Sequence, residues 1–301
     1  MYIMILSMTK LKAEQNIVIL GASGWVGKNF LNSLSSFENI ELFLYSFKDS
    51  KNLKTKNGKT YCTKPIQELS KLEIEKVDIL VDLAFPTQDK IAYLGDLKYL
   101  DIIKNLENIK SSFLKAYVPR NVFVLSSGAV YWEKDQENLY SKSKKEQEEF
   151  YHDYFKNNKN NVHILRLFGL VADYFTYDNN YAFTSFIKQA LENKTIHINS
   201  NFYVYRSYIT FSDMFQYFEY SMMNEINNQF KIFDACSDTF EIQTLAEIIS
   251  KIIPAKVSRS KIINSDNVYT GDCTFFKAFL SSRNINTTFT EEKLRKELGK
   301  T

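Results

Sequence analysis

The sequence has little cysteine. Cys62, Cys236 and Cys273 are far apart and form no CxxC pair, so neither a disulfide frame nor a zinc site organises the fold. The three histidines, His152, His163 and His197, also lack metal spacing, and no metal is expected. So odd and sparse a cysteine count suits a reducing cytoplasm, the expected location. No apolar run approaches the length of a membrane span. The stretch Met1 to Met8 is apolar, but it is too short for a signal peptide and has no cationic leader. Met1 and Met8 both stand open as the start. There is no excess of one charge either: 38 Lys and Arg against 35 Asp and Glu leave +3, short of a basic nucleic-acid binder. Internal repeats and low-complexity linkers are missing too. What remains, 301 residues with 45% hydrophobic and 24% charged, is the composition of a soluble globular protein with a sizeable core.

Two short strings carry the chemistry. Gly21-Ala22-Ser23-Gly24-Trp25-Val26-Gly27 follows the apolar run Ile17 to Leu20 and opens an amphipathic stretch, Lys28 to Leu34. Strand, glycine turn and helix in that order are the context of a dinucleotide-binding loop. Gly21 permits the tight turn, Gly24 lets backbone approach a pyrophosphate, and Gly27 lets the helix pack against the strand. The helix N-terminus then faces the phosphate charge. The second string, Tyr140-Ser141-Lys142-Ser143-Lys144, puts Tyr140 and Lys144 four apart, on one face of a helix. A phenol beside a fixed ammonium can pass a proton during hydride transfer, since a cation within about 4–6 Å lowers a pKa of roughly 10 by about 1–3 units.

Strand and helix signals alternate along Ile17–Leu20, Lys28–Leu34, Glu41–Tyr45, Glu68–Leu72, Ile79–Leu83, Leu97–Ala116, Val122–Leu125, Tyr140–Phe155 and Val162–Leu167. Strands separated by helices predict right-handed βαβ units on a parallel sheet. Polar loops are expected at 48–59 and 157–161. Beyond Phe168 the pattern loosens to a helix over Ala182–Leu191, a strand over Tyr208–Thr210, a helix over Ser212–Met223 and a strand over Ile232–Ala235. The charged string Lys142 to Glu149 reads as the wet face of the Tyr140 helix.

With these strings in order, the chain resembles the extended short-chain dehydrogenase/reductase family: nucleotide-sugar epimerases, dehydratases and 4-keto-reductases. The likeness runs from about Asn16 to Leu294. Its glycines are spaced GxxGxxG. Val77 to Ala84 looks like the fourth strand, Asn105 opens what looks like the fourth long helix, and Val122 to Tyr131 looks like the fifth strand with its catalytic serine. Arg206-Ser207-Tyr208-Ile209 resembles the family's diphosphate-gripping Arg-Asp-Tyr-Ile. The resemblance implies an α/β fold, a Rossmann-type doubly wound parallel sheet with a smaller, interleaved C-terminal substrate lobe. The nucleotide domain is expected over 14–168 with returning segments near 204–237, and the lobe over 169–203 and 238–301.

Carried over residue by residue, the resemblance implies Ser127, Tyr140 and Lys144 as the catalytic residues. Ser127, four before Tyr131, is preferred to Ser126. It would donate to the carbonyl oxygen and stabilise a developing alkoxide. Cofactor contacts are implied from Gly21, Ser23, Gly24, Trp25, Val26, Gly27, Ser46, Lys48, Leu83, Ala84, Tyr140, Lys144 and Leu167. Substrate contacts are implied from Ser127, Gly169, Arg206 and Asp266, with Asp272 also near the nucleotide base. Arg206 suits phosphate because a guanidinium binds it bidentately.

Three departures from the family shape the expectation. Only Trp132 to Leu139 separates Val130-Tyr131 from Tyr140, a trimmed loop. The family's Arg-x-x-Asn stands here as Arg166-Leu167-Phe168-Gly169, which offers no side-chain amide. The acidic pair of sugar 4,6-dehydratases is Gly128-Ala129, so no carboxyl acid drives elimination. The second strand ends at Ser46, with Lys48 behind it and Asp49 deeper in the loop. The lack of an acid at Ser46 favours NADP, with NAD as the alternative. The expected activity is reduction of a nucleotide-linked 4-keto-6-deoxy sugar, in the style of abequose, paratose or fucose synthases. A 4-epimerase with tightly held NAD, or a non-catalytic dinucleotide sensor, are the alternatives. The expected partner is a nucleotide-diphosphate sugar, with no nucleic acid and no membrane. A homodimer is expected through the helices around 97–116 and 140–155.

Overall fold

The computed structural model describes residues 10–132, 137–175, 181–224 and 229–299. The Met1 to Met8 start and residues 133–136 of the trimmed loop lie outside them. The chain forms two compact units. The first comprises 1–125, 138–164 and 220–231, and the second 126–137, 165–219 and 232–301.

The first unit begins with β1 (Lys10–Leu20), the glycine turn and α1 (Trp25–Leu34), then β2 (Glu38–Ser46). Short strands β3 (Asn52–Lys54), β4 (Thr60–Cys62) and β5 (Lys64–Pro65) precede a 3-10 turn at Ile66–Lys71. There follow β6 (Ile79–Asp82), α2 (Asp89–Leu94), α3 (Asp96–Ala116), β7 (Asn121–Ser127), α4 (Leu139–Phe155) and β8 (Asn161–Leu167). The expected polar loop 48–59 contains β3 and turns through Gly58, φ 86°, into β4, which pairs with β3 antiparallel. Three-residue strands are too short to show a period in sequence.

Along the chain there follow β9 (Gly169–Val171), α5 (Ala182–Asn193), β10 (Thr195–Ile198), β11 (Tyr203–Thr210) and α6 (Phe211–Met223). Next come β12 (Phe230–Ala235), β13 (Asp238–Glu241), α7 (Ile242–Ile252), β14 (Lys256–Arg259) and β15 (Asp266–Tyr269). Helices α8 (Thr274–Ser282) and α9 (Glu291–Glu297) end it.

Seven strands form the large sheet in the order β12-β8-β7-β6-β1-β2-β5. Its centre is parallel and in register: Leu20 pairs with Tyr45 and Asp82, and Asp82 with Val124. Strand order reverses on either side of β1, which makes this a doubly wound Rossmann-type sheet. Ile17 to Leu20, Ile79 to Val81 and Val122 to Val124 are all buried, as continuous apolar runs covered on both faces must be. In the second unit β11 is central, parallel to β9 and β15 and antiparallel to β13. Its core is aromatic: Phe233 stacks on Phe275 at 4.2 Å, and Tyr217 meets Phe233, Phe275, Phe276 and Phe279 edge-on.

Candidate active site

At the carboxyl end of β1 the chain turns through Gly21 at φ 80°, a conformation L side chains rarely adopt. A Cβ there would also sit 2.9 Å from the Leu83 carbonyl carbon and 3.0 Å from the Ala84 amide. Leu83 and Ala84 therefore lie directly against the turn. A Cβ on Gly27 would run into the Gly21 carbonyl and the Ala22 backbone, so α1 packs on β1 only because that residue has no side chain. Helix α1 starts at Trp25 with Gly24 as its cap, no side-chain capping bond and no acid in its first turn. Its N-terminal amides and dipole fit the pyrophosphate of a dinucleotide. Ser23 and Val26 are half-buried on the same turn.

Ser46 ends β2, but its hydroxyl points inward. It donates to the Asp49 carbonyl and accepts from Thr63 Oγ1 at 3.1 Å. The exposed side chains that follow are Phe47, Lys48 and Asp49. The residue type at 46 is thus set by the turn that Asp49 and Thr63 close.

Asn138 and Ser141 form a reciprocal capping box that starts α4 and fixes its rotation. Tyr140 is half-buried, its ring 6.2 Å from Phe85 and edge-on. Lys144 is buried. Its ammonium donates to the Leu125 carbonyl at 2.9 Å and to Gln147 Oε1 at 2.9 Å, and lies 3.8 Å over the Phe85 ring. Burial, then the Lys110 charge, brings its pKa down to about 7. The stretch 142–149, expected to be wet, buries Ser143, Lys144, Gln147 and Glu148. Lys144 and Gln147 turn inward onto an interior that is itself charged. Asp82, at the end of β6, bonds Lys110 and Tyr151 there. Nothing in the sequence pairs these residues, which are distant from one another along the chain.

The second unit holds the other candidates. Ser127 is buried at the end of β7, where its hydroxyl accepts from the Ala129 amide at 3.2 Å and bonds the Tyr269 phenol. Burial pushes that phenol up to about 12. Arg166 donates to the Tyr131 hydroxyl at 2.7 Å, and that hydroxyl donates to Asp234 Oδ1 at 2.9 Å. Leu167 is half-buried on β8. Gly169 backs onto the Tyr208 ring, 2.6 Å from where a Cβ would lie, so the site has no room for a side chain. Arg206 on β11 donates to the Asn267 carbonyl at 3.0 Å, to its Oδ1 at 2.6 Å and to the Tyr205 carbonyl at 2.8 Å. Asp266 lies exposed on the paired strand β15, and Asp272 is exposed ahead of α8. Among the described residues no three His, Cys, Asp or Glu converge as a metal site, and no helix is long and apolar enough to cross a membrane.

Several solved structures share this fold. UDP-N-acetylglucosamine 4-epimerase from Methanobrevibacter ruminantium is 17% identical, with TM-score 0.70 over 96% of this chain and 98% of its own. UDP-glucuronic acid 4-epimerase from Bacillus cereus, in complex with UDP-glucuronic acid and NAD, is 18% identical, with TM-score 0.70 over 95% and 98%. RMD from Pseudomonas aeruginosa, complexed with NADPH, is 17% identical, with TM-score 0.69 over 95% and 98%. No curated protein sequence matches. Residues 17–233 match the profile of the NAD dependent epimerase/dehydratase family, which spans the glycine turn, Tyr140, Lys144 and Arg206, and the chain belongs to that family.

Proposed function

We propose that the chain is an NADPH-dependent reductase of a nucleotide-linked 4-keto-6-deoxy sugar, with Tyr140 as proton donor. The observation that carries the cofactor choice is the end of β2. The Ser46 hydroxyl is spent inside the protein, and the next exposed side chains include the Lys48 ammonium, which suits a 2′-phosphate. When bound, a dihydronicotinamide supplies a hydride to the carbonyl carbon. The residues of this chain supply the rest. The α1 N-terminus and Gly21 turn hold the pyrophosphate, with Ser23, Trp25 and Val26 around it and Leu83, Ala84 and Leu167 toward the rest of the cofactor. Tyr140 gives its proton to the carbonyl oxygen, Ser127 donates a hydrogen bond to that oxygen, and Lys144 holds the ribose. Arg206 takes the diphosphate, with Gly169 and Asp266 beside the substrate.

Gly128 and Ala129 carry no acid for elimination, which disfavours dehydration. The domain reading, 14–168 with returns near 204–237 against 169–203 and 238–301, and a cytoplasmic homodimer through helices 97–116 and 140–155 belong to the same proposal.

The test is mass spectrometry of small molecules carried through purification, followed by fluorescence titration. An empty protein that binds NADPH more tightly than NADH is the expected result. Retained NAD, with equal or reversed affinities, would overturn the reductase in favour of a 4-epimerase.

A further inference from the structure

Beneath the Tyr140–Lys144 pair, the first unit buries a group of charges that the glycine turn does not require. Asp82 is inaccessible at the end of β6. Its Oδ2 lies 2.7 Å from Lys110 Nζ and accepts the Tyr151 hydroxyl at 2.7 Å, while Oδ1 accepts the Ala84 amide at 3.1 Å. Lys110, equally buried on α3, gives a second proton to the Ala84 carbonyl at 3.0 Å. A carboxylate so far from water persists only when paired in this way. Its remaining neighbour is Gln147, whose Nε2 faces Oδ2 at 3.5 Å and whose Oε1 accepts from Lys144 at 2.9 Å.

That placement fixes the Gln147 amide. Turned over, it would point its NH2 at an ammonium and its carbonyl at a carboxylate, two repulsions in place of two attractions. Asp82 therefore decides which end of Gln147 meets Lys144. One N–H of the ammonium goes to Gln147 and one to the Leu125 carbonyl, with the Phe85 ring 3.8 Å from Nζ.

We propose that Asp82, clamped by Lys110 and Tyr151, is a positioning residue for Lys144: through Gln147 it sets where that ammonium points, and its charge offsets that of Lys110. The proposal rests on the reading that Lys144 serves the cofactor and Tyr140. The charged groups around Lys144 are Lys110 from α3, Asp82 from β6 and Glu148 from its own helix; the titratable Tyr140 and Tyr151 share that helix. Glu107 of α3 faces Lys110. Burial and Lys110 disfavour the Lys144 cation, whereas Asp82 and Glu148 favour it. Asp82 and Lys110 thus act on Lys144 with opposite signs.

The experiment is an NMR titration of the full chain labelled with 13C at lysine Cε, the Lys144 signal being the one lost in Lys144→Met. Asp82→Asn should lower the Lys144 midpoint by about 1 unit, and Lys110→Met should raise it. A packing defect alone would not move the midpoint in opposite directions. Midpoints that stay put in both variants, or move the same way, overturn the proposal. If Asp82→Asn does not fold, Gln147→Leu carries the test, because it leaves the Asp82–Lys110 pair intact. It should shift the Lys144 signal, and an unchanged signal and midpoint would sink the relay. Dinucleotide affinity, measured by fluorescence in the same variants, separates this proposal from the functional reading. A moved midpoint with unchanged affinity supports the positioning and removes the cofactor role from Lys144 instead.

Discussion

The ring of Phe168 lies against Gly128, in the space a Cβ there would need, and Gly271 meets the same ring. Three segments distant in sequence thus share one aromatic side chain, which also lies 5.1 Å from Tyr269 and 6.2 Å from Tyr131. Gly128→Ala must displace that ring, at about 1–3 kcal/mol for overpacking. The urea midpoint should fall accordingly. Phe168→Leu in the same chain should recover part of the loss, because the two sites share a contact and their effects do not add. An unchanged midpoint in Gly128→Ala would show that the ring yields freely.

Two buried bases tie stability to pH with the same sign. His163, stacked on Phe123 at 4.7 Å, has its pKa brought down by burial to about 3, with Lys231 adding to the effect. Its neutral form is favoured in the folded state, so its contribution is present above the ordinary value of about 6.5 and is lost as pH falls toward 3. Lys144, brought down from 10.5 to about 7, contributes fully above 10.5 and loses that contribution as pH falls to 7. Urea unfolding at steps from pH 4 to 10 should show stability from both groups rising with pH. His163→Phe, which keeps the ring stack, should flatten the acid part of the profile. Lys144→Met should flatten the part above 7. A profile unchanged by both substitutions would refute the burial argument.

The strands of the first unit were legible because they are buried on both faces and read as unbroken apolar runs: Ile17 to Leu20, Ile79 to Val81, Val122 to Val124. The glycine turn was legible because backbone geometry restricts residue type. The Asp82 group was not. Asp82, Lys110 and Gln147 come from three elements, and a buried ion pair leaves no periodic trace. Gln147 and Glu148 sat in a string that composition assigns to solvent, yet both are buried. Ser46 shows another limit: its position at the strand end was foreseeable, but the inward turn of its hydroxyl depends on Asp49 and Thr63. Beyond 237 the strands are only four residues long, too short for a period of two to stand out.

Arg206 is held by Asn267 through both a carbonyl and a side-chain oxygen. With the Tyr205 carbonyl, this pairing fixes the guanidinium and uses three of its five N–H donors, two from Nη1 and one from Nη2. Arg206→Ala should remove a charge-assisted contact of about 1.5–3 kcal/mol and raise KM for a sugar nucleotide, with cofactor affinity unaltered. Asn267→Ala should lower KM by releasing the guanidinium. Normal nucleotide-diphosphate binding by Arg206→Ala would make Arg206 a structural residue of the β11–β15 pair.

Tyr140 and Lys144 share one helix face whose rotation is set by the Asn138–Ser141 capping box. Tyr140→Phe keeps the ring beside Phe85 and deletes the transferable proton, so kcat should fall about 10²–10⁴-fold with dinucleotide affinity nearly unchanged. Lys144→Met should weaken both. Ser127→Ala should mainly lower kcat, since its hydroxyl is assigned to the carbonyl oxygen. Ser126→Ala should do little. The assay is NADPH consumption on a panel of 4-keto sugar nucleotides. Full activity in Tyr140→Phe would remove the proposed mechanism. If the wild type binds NADPH but turns over none of the panel, the reductase reading fails and a dinucleotide sensor takes its place.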